Sequence, residues 1–348
     1  MKILVSALEH SANVHLKSLK EELGTDVELM GIFDKNLGNP IIDLQSLAIM
    51  GIIDALKKLR FFFKLADEMV ELAKDVDKVI LIDSSGFNLP LAKKLKKKYP
   101  NKEIIYYILP QAWAWKKKRI PVLAKTIDKL ASILPFEPDY YPSDANIQYV
   151  GHPLLDQITT FKTQLNTEIK DVVFMPGSRK SEINRLMPIF RGVIKKLKLN
   201  ATFIIPKHFS NEEIIELYGD TQDYTISYDA HKSLYEADFA FICSGTATLE
   251  AAIIGVPFIL SYKAKALDYF IGSRLVKLDF VGLGNIMLQK HKNIQLHPEY
   301  LQDDVTVENL VKGFREYKRE QFLDNSKILR EYLQNGSSAN VAKLIRES

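Results

Sequence analysis

Short apolar segments alternate with amphipathic segments along most of the chain. In the first half, brief apolar runs bounded by polar residues predict buried strands at 3–8, 27–33, 79–82, 104–109, 131–134 and 147–150. Apolar residues that recur at intervals of three and four predict helices between some of them, over 14–23, 54–72 and 90–99. Strands that alternate with helices in this way imply right-handed βαβ units and a mostly parallel sheet.

The alternation restarts in the second half of the chain. Apolar runs there predict strands at 172–175, 202–205, 225–228, 239–243 and 258–262. Regular patterning is lost near 153–167, and beyond Val305 the chain is helical and highly charged. The predicted organisation is α/β, with a Rossmann-like domain over 1–155, a second over 156–320 and a C-terminal helix over 321–348 that packs back toward the first domain.

Doubly wound sheets bind ligands at the carboxyl ends of their strands, where the strand order switches. We therefore expect functional residues directly after the predicted strands. Two such domains that face each other would form a central cleft.

Composition and charge narrow the class of protein. Of the 348 residues, 47% are hydrophobic and 26% charged, so the core needs no disulfide or metal to hold it. Cys243 is the sole cysteine, which excludes an internal disulfide and a site of several cysteines. A net charge of +4 argues against a dedicated nucleic-acid binder. The sequence has no signal peptide and no run of about eighteen apolar residues, which predicts an intracellular protein without a membrane span.

A glycine-containing turn follows the first predicted strand of the second half. Its sequence, MPGSR over 175–179, leads into a helix that carries Glu182. Gly177 permits a sharp turn, the N–H groups at a helix start attract anions, and Arg179 offers donors for phosphate oxygens. The alternative is a plain strand–helix turn that Ser181 and Glu182 cap.

A second turn of small residues, SGTATLE over 244–250, follows the predicted strand at 239–243. Small side chains let a ligand approach the backbone, and Thr246 and Thr248 add hydroxyls. Glu250, one turn into the helix, is suited to accept hydrogen bonds from two ribose hydroxyls, or else lies on a solvated face. Together the two turns predict a cradle for a nucleotide diphosphate.

Other nucleotide-binding and metal-binding patterns are missing from the sequence. No GxGxxG follows a strand, no GxxxxGK[ST] occurs, and the seven histidines show no HExxH spacing. The sequence therefore predicts neither a dinucleotide site nor a P-loop, and no metal site.

Three features of the first half are candidates for function. Asp83 follows the strand at 79–82, a suitable place for a general base or for a capping aspartate. Trp113 and Trp115, the two tryptophans of the chain, follow another strand and belong either to a ligand site or to the core. Three consecutive phenylalanines at 61–63 lie among lysines and an arginine, which is typical of a membrane-contacting helix or of one buried on two sides.

In these motifs the chain resembles the lipid-A-disaccharide synthases, which are inverting glycosyltransferases of the GT-B type with two Rossmann-like domains. The resemblance covers nearly the whole chain in order, and its PxxWAW and SGTATLE elements are highly specific. It rests on Glu9 and Ser11, LAIMG over 47–51, Asp83 with Phe87 and Asn88, PQAWAW over 110–115, LPFE over 134–137, GH at 151–152, PGSR over 176–179 with Glu182, SGTATLE over 244–250, Asn285, and PEYLQ over 298–302.

The resemblance implies a reaction in lipid A (lipopolysaccharide) biosynthesis. UDP-2,3-diacylglucosamine donates its sugar to 2,3-diacylglucosamine 1-phosphate (lipid X), which yields a β-1,6-linked disaccharide 1-phosphate and UDP. Asp83 corresponds to the base that deprotonates the acceptor hydroxyl, Arg179 to the residue that holds the diphosphate, and Glu250 to a ribose ligand. The resemblance implies no metal or other cofactor and a peripheral location on the cytoplasmic face of the bacterial inner membrane, and it leaves a homo-oligomer open.

The same resemblance assigns further residues to the two substrates. Those expected at UDP and its diphosphate are Gly177, Ser178, Arg179, Glu182, Ser244, Gly245, Thr246, Ala247, Thr248, Glu250 and Asn285. Those expected on the acceptor and lipid side are Glu9, Ser11, Met50, Phe61, Phe62, Phe63, Asn88, Trp113 and Trp115.

Two departures from the family pattern affect the acceptor half. The first loop usually reads GExSGD, whereas this chain has EHSAN over 9–13 after Leu8. The usual DxxDFN has Gly86 at its second aspartate. His10, absent from the usual pattern, is therefore a second candidate for proton transfer.

Alternative functions come from three classes. Another lipid or cell-wall glycosyltransferase of the GT-B type would use the same nucleotide site. A UDP-sugar 2-epimerase shares the architecture but acts on a water-soluble sugar and has no use for an exposed aromatic surface at 61–63. A non-catalytic peripheral membrane protein would explain that surface, but neither Asp83 nor the nucleotide cradle.

Overall fold

The computed structural model describes residues 1–43, 55–263 and 279–347, which divide into two compact units. The first unit comprises Met1–Asp156 together with Leu333–Ser348, and the second comprises Gln157–Tyr332. The chain thus leaves the first unit after Asp156 and returns to it at Leu333.

The first unit is built on a parallel sheet. Its strands are β1 (Lys2–Ser6), β2 (Glu28–Phe33), β3 (Ile42–Asp43), β4 (Lys78–Ile82), β5 (Glu103–Tyr107), β6 (Lys129–Ser132) and β7 (Ile147–Tyr149). Within the described residues they form one seven-stranded sheet in the order β3-β2-β1-β4-β5-β6-β7. The central strand β4, KVILI, is buried along its whole length, as expected for a parallel strand that helices cover on both faces.

The second unit repeats this plan. Its strands are β8 (Asp171–Met175), β9 (Asn200–Ile204), β10 (Thr225–Ser227), β11 (Phe239–Cys243), β12 (Phe258–Tyr262) and β13 (Glu299–Leu301). They form a six-stranded parallel sheet, as far as the described residues show, in the order β10-β9-β8-β11-β12-β13. Phe174 of β8 and Phe241 of β11 are register partners, and their rings stack with centroids 5.1 Å apart.

Helices connect and cover the strands. In chain order they are α1 (His10–Leu23), α2 (Ala55–Leu72), α3 (Ser85–Lys98), α4 (Ala112–Trp115), α5 (Ile120–Thr126), α6 (Pro153–Gln157), α7 (Lys180–Leu197), α8 (Asn211–Tyr218), α9 (Ala230–Glu236), α10 (Thr246–Ile254), α11 (Leu283–Lys292), α12 (Val307–Glu316), α13 (Phe322–Leu333) and α14 (Ser337–Arg346).

The strand order reverses once in each sheet. In the first, β1 and β4 are parallel neighbours, yet the chain continues from β1 toward β2 and from β4 toward β5, on opposite sides. In the second sheet, β8 and β11 are likewise parallel neighbours, and the chain continues from them toward opposite sides of the sheet. Connections that diverge from adjacent strand ends leave a crevice between them, which is where open α/β sheets bind ligands.

The last helix, α14, packs on α1 in the first unit. Val341 and Ile345 are fully buried in a cluster with residues of α1 and β1. Lys129 donates a hydrogen bond to the backbone oxygen of Leu344 (2.8 Å), and Lys78 donates one to that of Ile345. Cations at the carboxyl end of a helix complement its dipole, so these two lysines anchor α14.

Glu103 balances the charge of the two lysines. Its carboxylate lies 2.8 Å from Lys78 Nζ and 2.8 Å from Lys129 Nζ. Burial alone would raise the pKa of Glu103, but the hydrogen bonds from Lys129 and Lys78 outweigh it and lower that pKa. The C-terminal helix therefore rests on an ionised triad at the amino ends of β4, β5 and β6.

The α/β fold with two parallel sheets is confirmed, with differences at the ends of elements. The strands β3 and β13 were not predicted, because two or three residues at the edge of a sheet leave no apolar run. The helix expected over 14–23 begins at His10, so the segment expected as a loop is already helical there. The helix expected over 90–99 begins at Ser85 and contains Pro90, and the segment expected as one helix over 321–348 contains both α13 and α14.

Replacing Ile345 by Ala should destabilise the first unit, because it removes buried methyl groups between α14 and α1. We expect the free energy of unfolding to fall by about 2–4 kcal/mol in urea titrations. Lys343→Ala, at a side chain that is 76% exposed on the same helix, is the control and should change little. Equal stability of both variants would mean that α14 does not contribute to the core.

Candidate active site

Asp83 lies in a turn with unusual backbone geometry at the carboxyl end of β4. Asp83 and Ser84 have φ values of 51° and 40°, in the left-handed region that side chains rarely adopt. The backbone oxygen of Asp83 accepts hydrogen bonds from Tyr106 Oη (2.6 Å) and Asn88 Nδ2 (2.9 Å). Strain of this kind persists only where the surrounding structure fixes it, and it is concentrated at functional sites.

The Asp83 carboxylate is half-buried beside a second carboxylate. Its Oδ1 accepts a hydrogen bond from the backbone N–H of Ser84 (2.7 Å), while Ser84 Oγ donates to Glu9 Oε1 (3.1 Å). Burial and the nearby charge of Glu9 raise the pKa of Asp83, and the Ser84 N–H only partly offsets them. A carboxylate with a raised pKa is a stronger base than an ordinary aspartate.

Glu9 and His10 mark the start of α1, which follows β1. Glu9, His10 and Ser11 are all exposed, and the first helical turn is closed by the bond from the N–H of Asn13 to the Glu9 oxygen (3.1 Å). The side chain of Asn13 is buried and bonds the backbone oxygens of Ala7 and Glu9. The switch between β1 and β4 therefore brings Glu9 to the Asp83 turn, and it places His10 on a helix rather than in a loop.

The turn after β8 is held by Glu182. Gly177 has φ 116°, and a Cβ atom there would lie 2.6 Å from Glu182 Oε2, so only glycine fits. Glu182 Oε2 accepts the backbone N–H groups of Ser178 and Arg179, both at 3.3 Å. The carboxylate of the helix itself thus accepts these two N–H groups. That the start of the helix faces an anionic ligand stays a prediction.

Arg179 remains available to a ligand. Its guanidinium is 79% exposed and is held by Glu182 Oε1 at 2.7 Å. Cys243, at the end of β11, lies against this turn, and burial raises the pKa of its thiol to about 12. The Arg179 guanidinium is therefore an exposed hydrogen-bond donor of this turn.

The turn after β11 leads into α10, with Gly245 and Thr246 exposed at the helix start and Ser244 and Ala247 half-buried. Thr248 is buried, and its hydroxyl donates a hydrogen bond to the backbone oxygen of Gly245 (2.8 Å), which closes the first turn of the helix. The amino end of α10 with its exposed glycine is the open backbone surface at the switch between β8 and β11.

Glu250 lies one turn further along α10. Its side chain is 18% exposed, and its Oε2 lies 3.6 Å from Nε2 of His231 on α9. Burial raises the pKa of Glu250, and the His231 charge opposes that shift. The carboxylate therefore lies on the first part of α10 with the imidazole of His231 beside it.

Two of the residues expected at the substrates are buried and hydrogen-bonded within the fold. Asn285 is buried, and its amide bonds the backbone of Leu296 and His297 and Oε1 of Glu299 (2.7 Å), so its polar atoms are occupied within the fold. Asn88 is also buried, and it bonds Ser6 Oγ (2.6 Å) as well as the Asp83 turn. Both amides therefore tie segments of the fold together, and their expected contact with a substrate stays a prediction.

The aromatic candidates differ in how deeply their side chains are buried. Trp113 is 3% exposed and packs edge-on against Phe136 at 4.8 Å, so it belongs to the core. Phe61 and Phe62 pack partly against the core, whereas Phe63 is 54% exposed. Trp115 ends α4, and Met50 lies outside the described residues.

Two contributors to the site were not identified from the sequence. Tyr106 lies within the apolar run that forms β5. Only the pairing of β5 with β4 brings its hydroxyl to the Asp83 turn. His231 is a lone histidine at the start of a short helix, without a motif. In the described ranges, no group of three or more His, Cys, Asp or Glu side chains is arranged to hold a metal ion.

Two doubly wound parallel units with glycine turns at the switch points define the fold class of the GT-B glycosyltransferases. A crystal structure of MurG from Acinetobacter baumannii matches with a TM-score of 0.61 at 15% identity, covering 100% of this chain and 99% of that one. A putative UDP-N-acetylglucosamine 2-epimerase from Listeria monocytogenes matches with a TM-score of 0.61 at 15% identity, covering 100% and 97%. At such identities the likeness shows the fold alone.

Sequence relatives define the family. The family of lipid-A-disaccharide synthetases matches residues 3–345. The lipid-A-disaccharide synthase of Helicobacter pylori strain 26695 is 49% identical over 354 residues, 98% of this chain and 96% of that protein. That of Campylobacter jejuni strain RM1221 is 44% identical over 365 residues, 99% of each. The chain belongs to the lipid-A-disaccharide synthase family and is a glycosyltransferase, so the epimerase and the non-catalytic alternatives are set aside.

Proposed function

We propose that this protein transfers 2,3-diacylglucosamine from UDP-2,3-diacylglucosamine to 2,3-diacylglucosamine 1-phosphate. The products are the β-1,6-linked disaccharide 1-phosphate and UDP. The family match over residues 3–345 carries the proposal, and the Asp83 turn supports it because it presents a basic carboxylate at the first switch point.

The donor binds at the second switch point in this proposal. Arg179 contacts the diphosphate, the exposed start of α10 at Gly245 and Thr246 contributes backbone N–H groups, and Glu250 accepts the ribose hydroxyls. As the bond from the sugar C1 to the phosphate oxygen breaks, negative charge grows on the leaving UDP. Arg179 and the helix start stabilise that charge.

Asp83 serves as the general base for the acceptor. Its carboxylate takes the proton of the acceptor's 6-hydroxyl while that oxygen forms a bond to C1 of the donor sugar on the face opposite UDP. Attack from that face inverts the configuration at C1 and gives the β linkage. The raised pKa of Asp83, caused by burial and Glu9, suits this role because a stronger base accepts the proton more readily.

Arg179→Ala should weaken UDP binding about ten- to a hundredfold, because a charge-assisted contact to phosphate contributes about 1.5–3 kcal/mol. Calorimetric titration with UDP measures this effect. Lys180→Ala is the matched control, since Lys180 is the adjacent cation and pairs with Glu213 at 2.7 Å. Unchanged UDP affinity in Arg179→Ala would refute the assignment of the diphosphate contact.

Asp83→Asn should reduce turnover about 10²- to 10⁴-fold with UDP binding unchanged, because the amide keeps the turn and loses the basicity. Asparagine also tolerates the left-handed backbone at this position. In the parent enzyme, kcat/KM should fall as the pH is lowered through a pKa above that of an ordinary aspartate, since burial and Glu9 favour the protonated form. Disaccharide formation across a pH series is the measurement.

His10→Ala tests the competing base. We expect it to retain most of the turnover, because Asp83, and not His10, lies in the strained turn. If Asp83→Asn instead keeps near-normal turnover while His10→Ala abolishes it with UDP binding intact, the proton passes through His10 and the assignment of Asp83 is wrong.

We also propose that the first unit contacts a membrane surface through α2. Phe63 is 54% exposed there, and Lys94 of α3 lies 5.7 Å from its ring centroid, so an aromatic side chain and a cation share one surface. Such a pair suits the interface of an anionic bilayer. No helix among the described residues is both long and apolar enough to cross a membrane.

Phe63→Ser should lower the fraction of protein that sediments with phosphatidylglycerol-containing vesicles about three- to tenfold, since it removes part of a phenylalanine's transfer free energy. Ile215→Ser is the matched control, because Ile215 is 69% exposed on α8 of the second unit. Both variants should bind UDP normally. Equal sedimentation of the two variants would place the contact surface elsewhere.

A further inference from the structure

Glu250 is a mostly buried carboxylate on α10. Among the described residues, no backbone or side-chain group donates a hydrogen bond to it. The imidazole of His231 lies beside it, with Nε2 at 3.6 Å from Oε2. That separation is an ion-pair distance, longer than a hydrogen bond, so the lone pairs of both carboxylate oxygens remain available.

A buried carboxylate needs a counter-charge to stay ionised. Burial disfavours the charged form of Glu250, and a protonated Glu250 would present one oxygen as a donor instead of two acceptors. A vicinal diol offers two O–H donors, which match an ionised carboxylate and not a protonated one. The group that keeps Glu250 ionised therefore decides whether it recognises a diol.

His231 is placed to keep Glu250 ionised, although a positive charge at its position destabilises its own helix. It lies in the first turn of α9, where a cation is disfavoured by the helix dipole. Asp229, the residue that caps α9, directs its carboxylate to the N–H of Lys232 (3.0 Å), and Lys232 itself lies 3.9 Å from Glu236. His231 thus faces Glu250 while its neighbours on α9 have other partners.

We propose that His231 is a positioning residue that holds Glu250 ionised and oriented for the two hydroxyls of the donor's ribose, and so sets the preference for a ribonucleotide donor. The inference rests on the proposed function, in which Glu250 contacts the ribose. It adds a residue on α9 to a site otherwise formed by the turns after β8 and β11.

The test compares UDP with 2′,3′-dideoxy-UDP by calorimetric titration of the full-length protein. His231→Gln should weaken UDP binding about three- to tenfold, the range for a partly buried ion pair, and should leave binding of the dideoxy compound unchanged. His231→Arg, which restores a cation, should recover most of the UDP affinity. Lys232→Gln removes the adjacent charge and should behave as the parent protein. Thermal denaturation verifies that each variant is folded.

Glu250→Gln separates this inference from the proposed function. It should weaken UDP binding, and adding His231→Gln to it should cause little further loss. If Glu250→Gln binds UDP like the parent, the ribose contact itself is wrong and this inference falls with it. If Glu250→Gln weakens binding but His231→Gln does not, or if His231→Gln weakens UDP and dideoxy-UDP equally, only the role of His231 is overturned.

Discussion

The pairing of β1 with β4 in the first unit, and of β8 with β11 in the second, is the constraint on which the candidate site residues of each unit depend. In each case two parallel strands lie side by side while their connections leave in opposite directions. The carboxyl ends of these strands therefore meet without a connection covering them. Glu9 and Asp83 follow the first pair, and the turns that begin at Pro176 and Ser244 follow the second. Residues far apart in sequence become neighbours because the strands before them share hydrogen bonds.

Three carboxylates lie near the carboxyl ends of these strands, and each has different neighbouring groups. Asp83 shares its environment with Glu9, which favours a base of raised pKa. Burial likewise raises the pKa of Glu250, and the interaction with His231 opposes that rise without reversing it. Glu182 is used differently again, because it satisfies two backbone N–H groups and holds Arg179 in place. The three carboxylates thus differ in the groups that surround them.

The return of the chain to the first unit ties the C-terminus to the amino-terminal sheet. Tyr107 Oη lies 2.9 Å from Ser337 Oγ at the start of α14, and Asp156 accepts the N–H of Gly336 at 2.6 Å. At the other end of α14, Lys78 and Lys129 bind its last carbonyl groups. Both ends of this helix are therefore fixed to the unit that holds Asp83.

The sequence by itself determined the alternation of strands and helices, the two parallel sheets and the motifs of the family, because these depend on local apolar period and on residues adjacent in the chain. Asp83, Arg179 and Glu250 were named as candidates in this way, from the turns and helix starts that follow predicted strands. The tertiary structure alone decided that Asn88, Asn285 and Trp113 are buried supports, that Glu182 occupies the N–H groups of its own turn, and that Tyr106 and His231 approach the site. Burial and hydrogen-bond partners come from strands and helices distant in sequence, so a local pattern does not contain them.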